Sequence, residues 1–169
     1  MALPAFAEKP AMSTRWKPSV TVAAVIERAG RFLIIEEHTP AGLRLNQPAG
    51  HLDPGESLLQ AVVRETLEET AHDFIPTALV GFYLARFRPA GAAADVTYLR
   101  VTFCGEAGMD HGTALDDGIV RVLWLTYDEL AACPERHRSE LVLRCVDDYR
   151  SGQRAPLSLL VTQDTVLAH

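Results

Sequence analysis

One short segment of the chain combines a complete helix signal with a cluster of acidic residues. Pro54-Gly55 is a turn, and Ser57 followed by Gln60 is typical of a capping box at a helix N-terminus. The pattern predicts a helix that continues to about Thr70, and at about 100° per residue its two faces differ in chemistry. The packing face would carry Leu59, Val62, Val63, Thr66 and Thr70, and the opposite face Glu65, Glu68 and Glu69.

The three glutamates of this helix are spaced so that they share one face and repel each other. The repulsion is a few tenths of a kcal/mol per exposed pair, and it grows with burial. Mg²⁺ would offset it, with Mn²⁺ as a substitute, because hard cations take oxygen ligands and share their shell with substrate phosphates. For an isolated Glu-x-x-Glu-Glu a solvated acidic face is the favoured explanation, and only the surrounding residues favour a metal site here.

The surrounding residues resemble the Nudix box, a motif of one glycine, one arginine and four glutamates at fixed spacing. Its positions are occupied here by Gly50, Glu56, Arg64, Glu65, Glu68 and Glu69. These identities arise by chance about once in tens of millions of windows. Thr66 and His72 stand where the motif has aliphatic residues, and Ala71 replaces its terminal glycine. None of these departures removes a metal-binding oxygen.

Three further segments, residues 20–23, 46–52 and 149–154, extend the resemblance to most of the chain. Together with the box they are similar to the NudJ-type phosphatase branch of the Nudix hydrolases, over roughly residues 18–160. The resemblance implies an α/β protein with the Nudix fold, a mixed β-sheet sandwiched between α-helices.

Length and composition agree with a single enzyme domain. The chain has 169 residues, for which one domain is expected. We assign residues 18–160 to it, residues 1–17 to a loose N-terminal tail and residues 161–169 to a C-terminal tail. The net charge is −6 and no long basic run occurs, which argues against a nucleic acid polymer as ligand. A small phosphorylated substrate is expected, and the sequence does not distinguish a monomer from a dimer.

The cysteines and the N-terminal segment indicate the compartment. Cys104, Cys133 and Cys145 are odd in number and lack metal-site spacing, which is typical of reduced core thiols. Residues 1–17 have no apolar run suited to a signal peptide or a membrane span. We therefore expect a cytoplasmic enzyme without a membrane partner.

Hydrophobic periodicity predicts an order of elements that suits this fold. The predicted strands are residues 20–26, 31–37, 77–88, 96–105 and 119–125, with a turn at 28–30, a loop at 40–42 and a flexible loop at 89–94. A second helix is expected over residues 135–149, with Leu141, Val142, Cys145 and Val146 on its apolar stripe.

The resemblance implies a role for each acidic residue of the box. Glu65 and Glu69 are expected to bind the metal directly, and Glu68 to bind it or to hold a metal-bound water. The carbonyl of Ala49 is a further candidate ligand, because the adjacent Gly50 lets the backbone approach an ion closely.

Glu56 and Arg64 are expected to form an ion pair that fixes the loop against the helix and supports catalysis. A mere surface position is the alternative for Arg64.

Hydrolysis of a phosphoanhydride needs cations that mask its charge and a base that activates water. Spacing alone does not identify the base, since Glu65, Glu68 and a loop acid all qualify. Asp116 and Asp117 precede the strand at residues 119–125 and would enter the site from the far side. As turn formers they need no catalytic role.

Other residues are candidates for substrate binding. His51 would touch a phosphate or a leaving group, although local hydrogen bonds would also explain it. Arg86, Arg88 and Arg100 lie on strands beside aromatic residues and would hold a phosphate tail or stack on a base. The alternative is that these arginines are surface residues that contribute only to solubility. Asp117 is a further candidate for substrate binding.

The leading functional hypothesis is a Mg²⁺-dependent hydrolase that releases phosphate from its substrates. The resemblance implies nucleoside tri- and diphosphates and small heteroaromatic diphosphates, such as the thiamine-pathway pyrimidine diphosphate and thiamine diphosphate. The alternatives are a general nucleotide pyrophosphohydrolase, a prenyl diphosphate isomerase, which would need further acid-base residues, and a non-catalytic ligand-binding module.

Overall fold

The computed structural model describes residues 15–88 and 94–167. Its strands are β1 (Ser19–Arg28), β2 (Arg31–Thr39), β3 (Gly42–Asn46), β4 (Ala49–His51), β5 (His72–Phe87), β6 (Val96–Asp110) and β7 (Ile119–Thr126). Its α-helices are α1 (Leu58–Thr70), α2 (Tyr127–Ala131), α3 (Leu141–Arg150) and α4 (Asp164–Leu167), with 3-10 turns at Pro134–Arg136 and Leu157–Leu159.

Strand β1 is the centre of the mixed sheet, because it pairs with three other strands. The main order is β3-β2-β1-β6-β5, while β4 pairs with β1 and β7 pairs with β2. The β1–β6 pairing is parallel over Ser19 to Ile26, and the β1–β2, β1–β4 and β5–β6 pairings are antiparallel. Residues of β4 therefore lie one strand away from β6.

Helices α1 and α3 cover the two faces of this sheet. The first core joins α1 to the sheet through residues such as Val62, Val101 and Phe103. The second joins α3 to it through Val142, Cys145 and Val146, all fully buried. The predicted α/β arrangement, a mixed sheet between helices, is confirmed.

The sequence located most elements, and the largest error is the second helix. Its predicted start at residue 135 is wrong, because a 3-10 turn occupies Pro134–Arg136 and α3 begins only at Leu141. The intervening backbone is extended at His137 and forms a bridge to Leu45, where Arg138 N–H donates to the Leu45 carbonyl at 2.8 Å. This tertiary pairing overrides the local helical pattern.

Strands β5 and β6 are both longer than predicted. β5 begins at His72, directly after α1, and β6 continues to Asp110. Of the predicted loop at 89–94, residues 89–93 lie outside the described part of the chain, as do residues 1–14 of the predicted N-terminal tail. In the predicted C-terminal tail, Asp164–Leu167 forms a single helical turn.

The cysteines are free, as predicted. Cys104 and Cys145 are buried, whereas Cys133 is partly exposed between α2 and the following turn. Across residues 15–88 and 94–167, none of the helices has the length and apolar character needed to cross a membrane.

Candidate active site

Helix α1 begins and ends as its sequence predicts. The Ser57 hydroxyl accepts from Gln60 N–H and the Gln60 side chain accepts from Ser57 N–H, which completes the capping box. At the other end Ala71 adopts the left-handed conformation, with φ of 58°. This conformation is one that the glycine of the box adopts without strain, and alanine adopts it here at a modest cost.

The other two departures from the box are also accommodated. Thr66 is fully buried, and its hydroxyl donates to the Val62 carbonyl at 2.7 Å, so the helix itself satisfies its polar group. His72 is buried beside Thr70, with its Nδ1 and the Thr70 carbonyl 2.7 Å apart. All three substitutions lie on the packing side of the site.

Arg64 is the centre of an ionic network on the exposed side of α1. Its Nε and Nη2 donate to Glu56 at 3.0 and 2.7 Å, and its Nη1 donates to Glu65 and Glu68, both at 2.9 Å. Nη2 also donates to the His51 carbonyl at 3.0 Å. The guanidinium lowers the pKa of Glu56, and these carboxylates raise the pKa of Arg64. The predicted pair of Glu56 and Arg64 is therefore present.

Strand β4 lies against Glu65 and Glu69, the two buried glutamates of α1. A Cβ at Gly50 would lie 2.1 Å from the Glu65 carboxylate, so any other residue there would displace that carboxylate from its observed position. Ala49 N–H donates to Glu69 Oε2 at 2.8 Å. In an antiparallel strand the N–H and C=O of one residue point the same way, so the Ala49 carbonyl also faces the acidic side of α1.

Burial places Glu65 and Glu69 in an environment that disfavours their charge. Both residues are only 9 % exposed. Burial raises the pKa of Glu65, and it raises the pKa of Glu69 to about 8, helped by the charges of Glu65, Glu37 and Asp116. Glu69 accepts a hydrogen bond from Ala49 N–H but has no cation in contact among the described residues. A bound cation would restore its charged form.

The donor set at this site fits a divalent metal. Glu65, Glu68 and Glu69 supply carboxylate oxygens and Ala49 a backbone oxygen, the ligand types that Mg²⁺ and Mn²⁺ prefer. Among residues 15–88 and 94–167, no three acidic, His or Cys side chains already converge on one point. Arg64 instead holds Glu65 and Glu68, so these carboxylates would reorient when a metal binds.

The two loop aspartates differ in their relation to this site. Asp116 N–H donates to the Glu68 carbonyl at 3.0 Å, and the charge of Asp116 raises the pKa of Glu65 and Glu69. Asp117 is exposed in the turn before β7. Of the pair, Asp116 is the residue that the structure brings to the acidic face.

A cleft of about 170 Å³ opens beside β4, on the α3 side of the sheet. It is lined by Thr21, Glu37, Asn46, Ala49, Gly50, His51, Ala85, Phe87, Tyr98, Arg100, Arg138, Ser139 and Leu141. The rings of Phe87 and Tyr98 stack with centroids 4.7 Å apart, and Tyr98 lies 6.1 Å from the His51 ring. Ala49 and Gly50 border both this cleft and the acidic face of α1, so the two form one continuous site.

The candidate arginines separate into two groups. Arg100 lies in the cleft and is 7 % exposed, and burial lowers its pKa. Arg86 and Arg88 are largely exposed and pair with Asp95 at 3.0 and 2.8 Å. They are absent from the cleft lining, so the structure does not bring them to the site.

Sequence reasoning assigned no role to several residues in or next to the cleft. Asn46 and Gln47 hold Arg100 from the end of β3, and Arg138 comes from the extended segment that was predicted to be helical. A signal existed for the first two, because adjacent amide side chains after an apolar strand are unusual in a buried position. No sequence signal identifies Arg138 as a cleft residue, because its position depends on the tertiary pairing with Leu45.

Comparison with known proteins identifies the family. The NUDIX domain model matches residues 15–144. The chain is 34% identical to phosphatase NudJ of Escherichia coli strain K12, over 146 residues that cover 86% of this chain and 92% of NudJ. NudJ of Shigella flexneri gives the same identity and coverage.

Solved structures agree with this family assignment. A NUDIX hydrolase from Nitrosomonas europaea is 48% identical, with a TM-score of 0.79, covering 88% of this chain and 99% of that one. The chain therefore belongs to the Nudix family and is a hydrolase of phosphoanhydrides similar to the NudJ phosphatases.

Proposed function

We propose that this enzyme removes the terminal phosphate from nucleoside tri- and diphosphates and from small heteroaromatic diphosphates, with Mg²⁺ as cofactor. The observation that supports this most directly is the continuity of the acidic face with the cleft through Ala49 and Gly50. A substrate whose ring lies in the cleft directs its phosphates toward the acids of α1. Thiamine diphosphate and the pyrimidine diphosphate of its pathway belong to this substrate class.

The chemistry is the attack of water on the terminal phosphorus. A bond forms between water oxygen and that phosphorus, the bridging P–O bond breaks, and the bridging oxygen leaves with the shortened substrate. Bound Mg²⁺ would mask the phosphate charge. Glu65, Glu68 and Glu69, with the Ala49 carbonyl, would hold it, and one carboxylate would accept the proton of water.

The acceptor of that proton is one of three residues. Glu65 and Glu68 lie on α1, and Asp116 approaches from the loop before β7. Arg64 and Glu56 would support catalysis by fixing α1 against the loop that precedes it. His51 and Arg100 line the cleft and are the proposed substrate contacts, while Arg86, Arg88 and Asp117 have no part in the proposal.

The size and walls of the cleft favour a compact aromatic substrate. Its volume of about 170 Å³ suits a single ring better than a dinucleoside, and the Phe87–Tyr98 stack provides an aromatic wall. The NudJ relatives are phosphatases, which supports release of phosphate rather than pyrophosphate. The free cysteines support a cytoplasmic location.

Phosphorus NMR of reactions in ¹⁸O-water tests the proposal. The panel contains nucleoside tri- and diphosphates, thiamine diphosphate and its pyrimidine precursor, each with Mg²⁺, with EDTA and with Glu69→Gln as controls. We expect inorganic phosphate that carries the ¹⁸O label from tri- and diphosphates alike. Pyrophosphate and monophosphate as sole products, with diphosphates inert, would show a general pyrophosphohydrolase. Binding without hydrolysis of any compound would show a ligand-binding module.

A further inference from the structure

Arg100 is a buried cation whose hydrogen-bonding capacity is only partly used. A guanidinium has five N–H donors, and three hydrogen bonds are formed here. Nη1 and Nη2 donate to Asn46 Oδ1 at 3.4 and 3.3 Å, and Nη2 donates to Gln47 Oε1 at 3.1 Å. Nε is buried and has no partner among the described residues.

The acceptors around Arg100 are neutral amides, so its charge is not cancelled by contact. Among the described residues no carboxylate forms an ion pair with it. The neighbouring arginine of the cleft differs, because Arg138 pairs with Glu37 at 3.5 Å. Removing a charge from water without a counter-charge is costly, and an anionic ligand would offset that cost.

Both amides are oriented so that their oxygens face Arg100. Asn46 Nδ2 donates to Glu37 Oε1 at 3.3 Å, and Gln47 Nε2 donates to the Val142 carbonyl at 2.6 Å. Each amide nitrogen is therefore committed elsewhere, which leaves its oxygen for the guanidinium. The orientation of Arg100 is fixed before any ligand enters the cleft.

The strand register places Arg100 between the acids and the aromatic wall. Arg100 pairs with Thr21, and Thr21 pairs with His51 on β4. Ala49, which anchors Glu69, lies two residues beyond His51 along β4, and Tyr98 lies two residues from Arg100 in the other direction along β6. At about 3.3 Å per residue, each step along the cleft is about 7 Å.

We propose that Arg100 binds the phosphoryl group that remains on the substrate, next to the one that is removed. The role as leaving-group contact rests on the proposed function, in which the outer phosphate lies over the acids and the ring against Phe87 and Tyr98. When the bridging P–O bond breaks, the remaining phosphate gains negative charge, and a fixed guanidinium stabilises that charge. The substrate class is therefore one with at least two linked phosphates.

The experiment compares binding of cytidine and CMP, measured by calorimetry in Mg²⁺ buffer. CMP is the shortened product of a nucleotide substrate and differs from cytidine only by the phosphate. We expect the parent enzyme to prefer CMP, and Arg100→Gln to lose about tenfold or more of the CMP affinity while cytidine binding changes little. Arg100→Lys, which keeps the charge without the planar fork, should retain part of the preference.

Arg144→Gln is the matched control, because it removes one positive charge from an exposed i,i+4 pair with Asp148 on α3. It should keep the parent's preference for CMP. An equal loss of cytidine and CMP affinity in Arg100→Gln would show that Arg100 contacts the ring, and unchanged CMP affinity would show no contact. A parent enzyme that binds both compounds equally would also overturn the proposal. Absence of phosphate release in the NMR panel, with the CMP preference intact, would refute the proposed function alone.

Discussion

Two ionic clusters of this enzyme have opposite charge composition. The Arg64 cluster consists of Arg64, Asp53, Glu56, Glu65 and Glu68, with a formal charge of +1 − 4 = −3. The Glu36 cluster consists of Glu36, Arg121 and Arg136, with a formal charge of −1 + 2 = +1. The Arg64 cluster has an excess of negative charge that favours binding of a cation. In the Glu36 cluster the one buried acid is fully neutralised by its two arginines. A net negative charge therefore distinguishes the Arg64 cluster, which borders the candidate metal site, from the Glu36 cluster, in which the one acid is fully paired.

The largest expected effect belongs to Glu69, which lies beside the Arg64 cluster but outside its ion pairs. Glu69→Gln keeps an acceptor for Ala49 N–H and removes the charge that would bind metal. We expect turnover to fall by at least about 100-fold, measured by steady-state kinetics with saturating Mg²⁺. Turnover near that of the parent would contradict the ligand assignment.

The stability of this variant provides a control on the loss of activity. The folded pKa of Glu69 is raised from 4.5 to about 8, so the metal-free parent loses stability as pH rises from 4.5 through 8. Glu69→Gln lacks this group. In EDTA at pH 8 the variant should melt at the same temperature as the parent or higher, and a lower temperature would indicate that misfolding caused the loss of turnover.

The next effect concerns the centre of the Arg64 cluster. Arg64→Ala leaves its acids without a cation, and because Arg64 is 29% exposed we expect a loss of about 2–3 kcal/mol, below the range for fully buried pairs. Glu56→Gln should cost less, since Arg64 still holds Glu65 and Glu68. Urea denaturation measures both, and equal midpoints for the two variants and the parent would exclude a structural role for the pair.

The Glu36 cluster should respond in a different way. Glu36 is 3 % exposed and accepts from Arg121 and Arg136 at 2.7 and 2.5 Å. Both arginines can return to water, so Glu36→Gln should cost only about 1–2 kcal/mol. Turnover and the Mg²⁺-induced rise in melting temperature should match the parent. A weaker response to Mg²⁺ would show that this cluster also takes part in metal binding.

The same two clusters show what the sequence could predict. The acids of α1 are local, since a capping box and helical periodicity place them on one face, and the resemblance to the box added the pairing of Glu56 with Arg64. The Glu36 cluster joins β2, β7 and a 3-10 turn, with partners 85 and 100 residues away. No local sequence pattern predicts contacts between residues so far apart in the chain. The misplaced start of α3 and the missed Arg138 have the same cause.

The residues of the candidate site also differ in whether local sequence or tertiary structure determines their position. Arg86, Arg88 and Arg100 look alike in sequence, because all three are predicted to lie on strands beside aromatic residues, although β5 ends at Phe87. Only the β1–β6 register shows that Arg100 faces the cleft, while Arg86 and Arg88 face solvent beside Asp95. Strand alternation predicts which face of the sheet a side chain lies on, but it does not predict what covers that face. The sequence therefore indicates three candidate arginines and does not distinguish among them.

The smallest expected effect is the acid dependence of the Glu36 cluster. Arg121 and Arg136 lower the pKa of Glu36 below 4.5, so the folded state binds its proton less readily than the unfolded state does. Its contribution to stability is then complete above pH 4.5 and is lost as pH falls through the lowered pKa. We expect the difference in melting temperature between the parent and Glu36→Gln to be constant from pH 7 to about pH 5 and to shrink at lower pH. Thermal melts at fixed ionic strength measure it, and a difference that persists undiminished to the acid end would mean that Glu36 contributes through packing rather than through its charge.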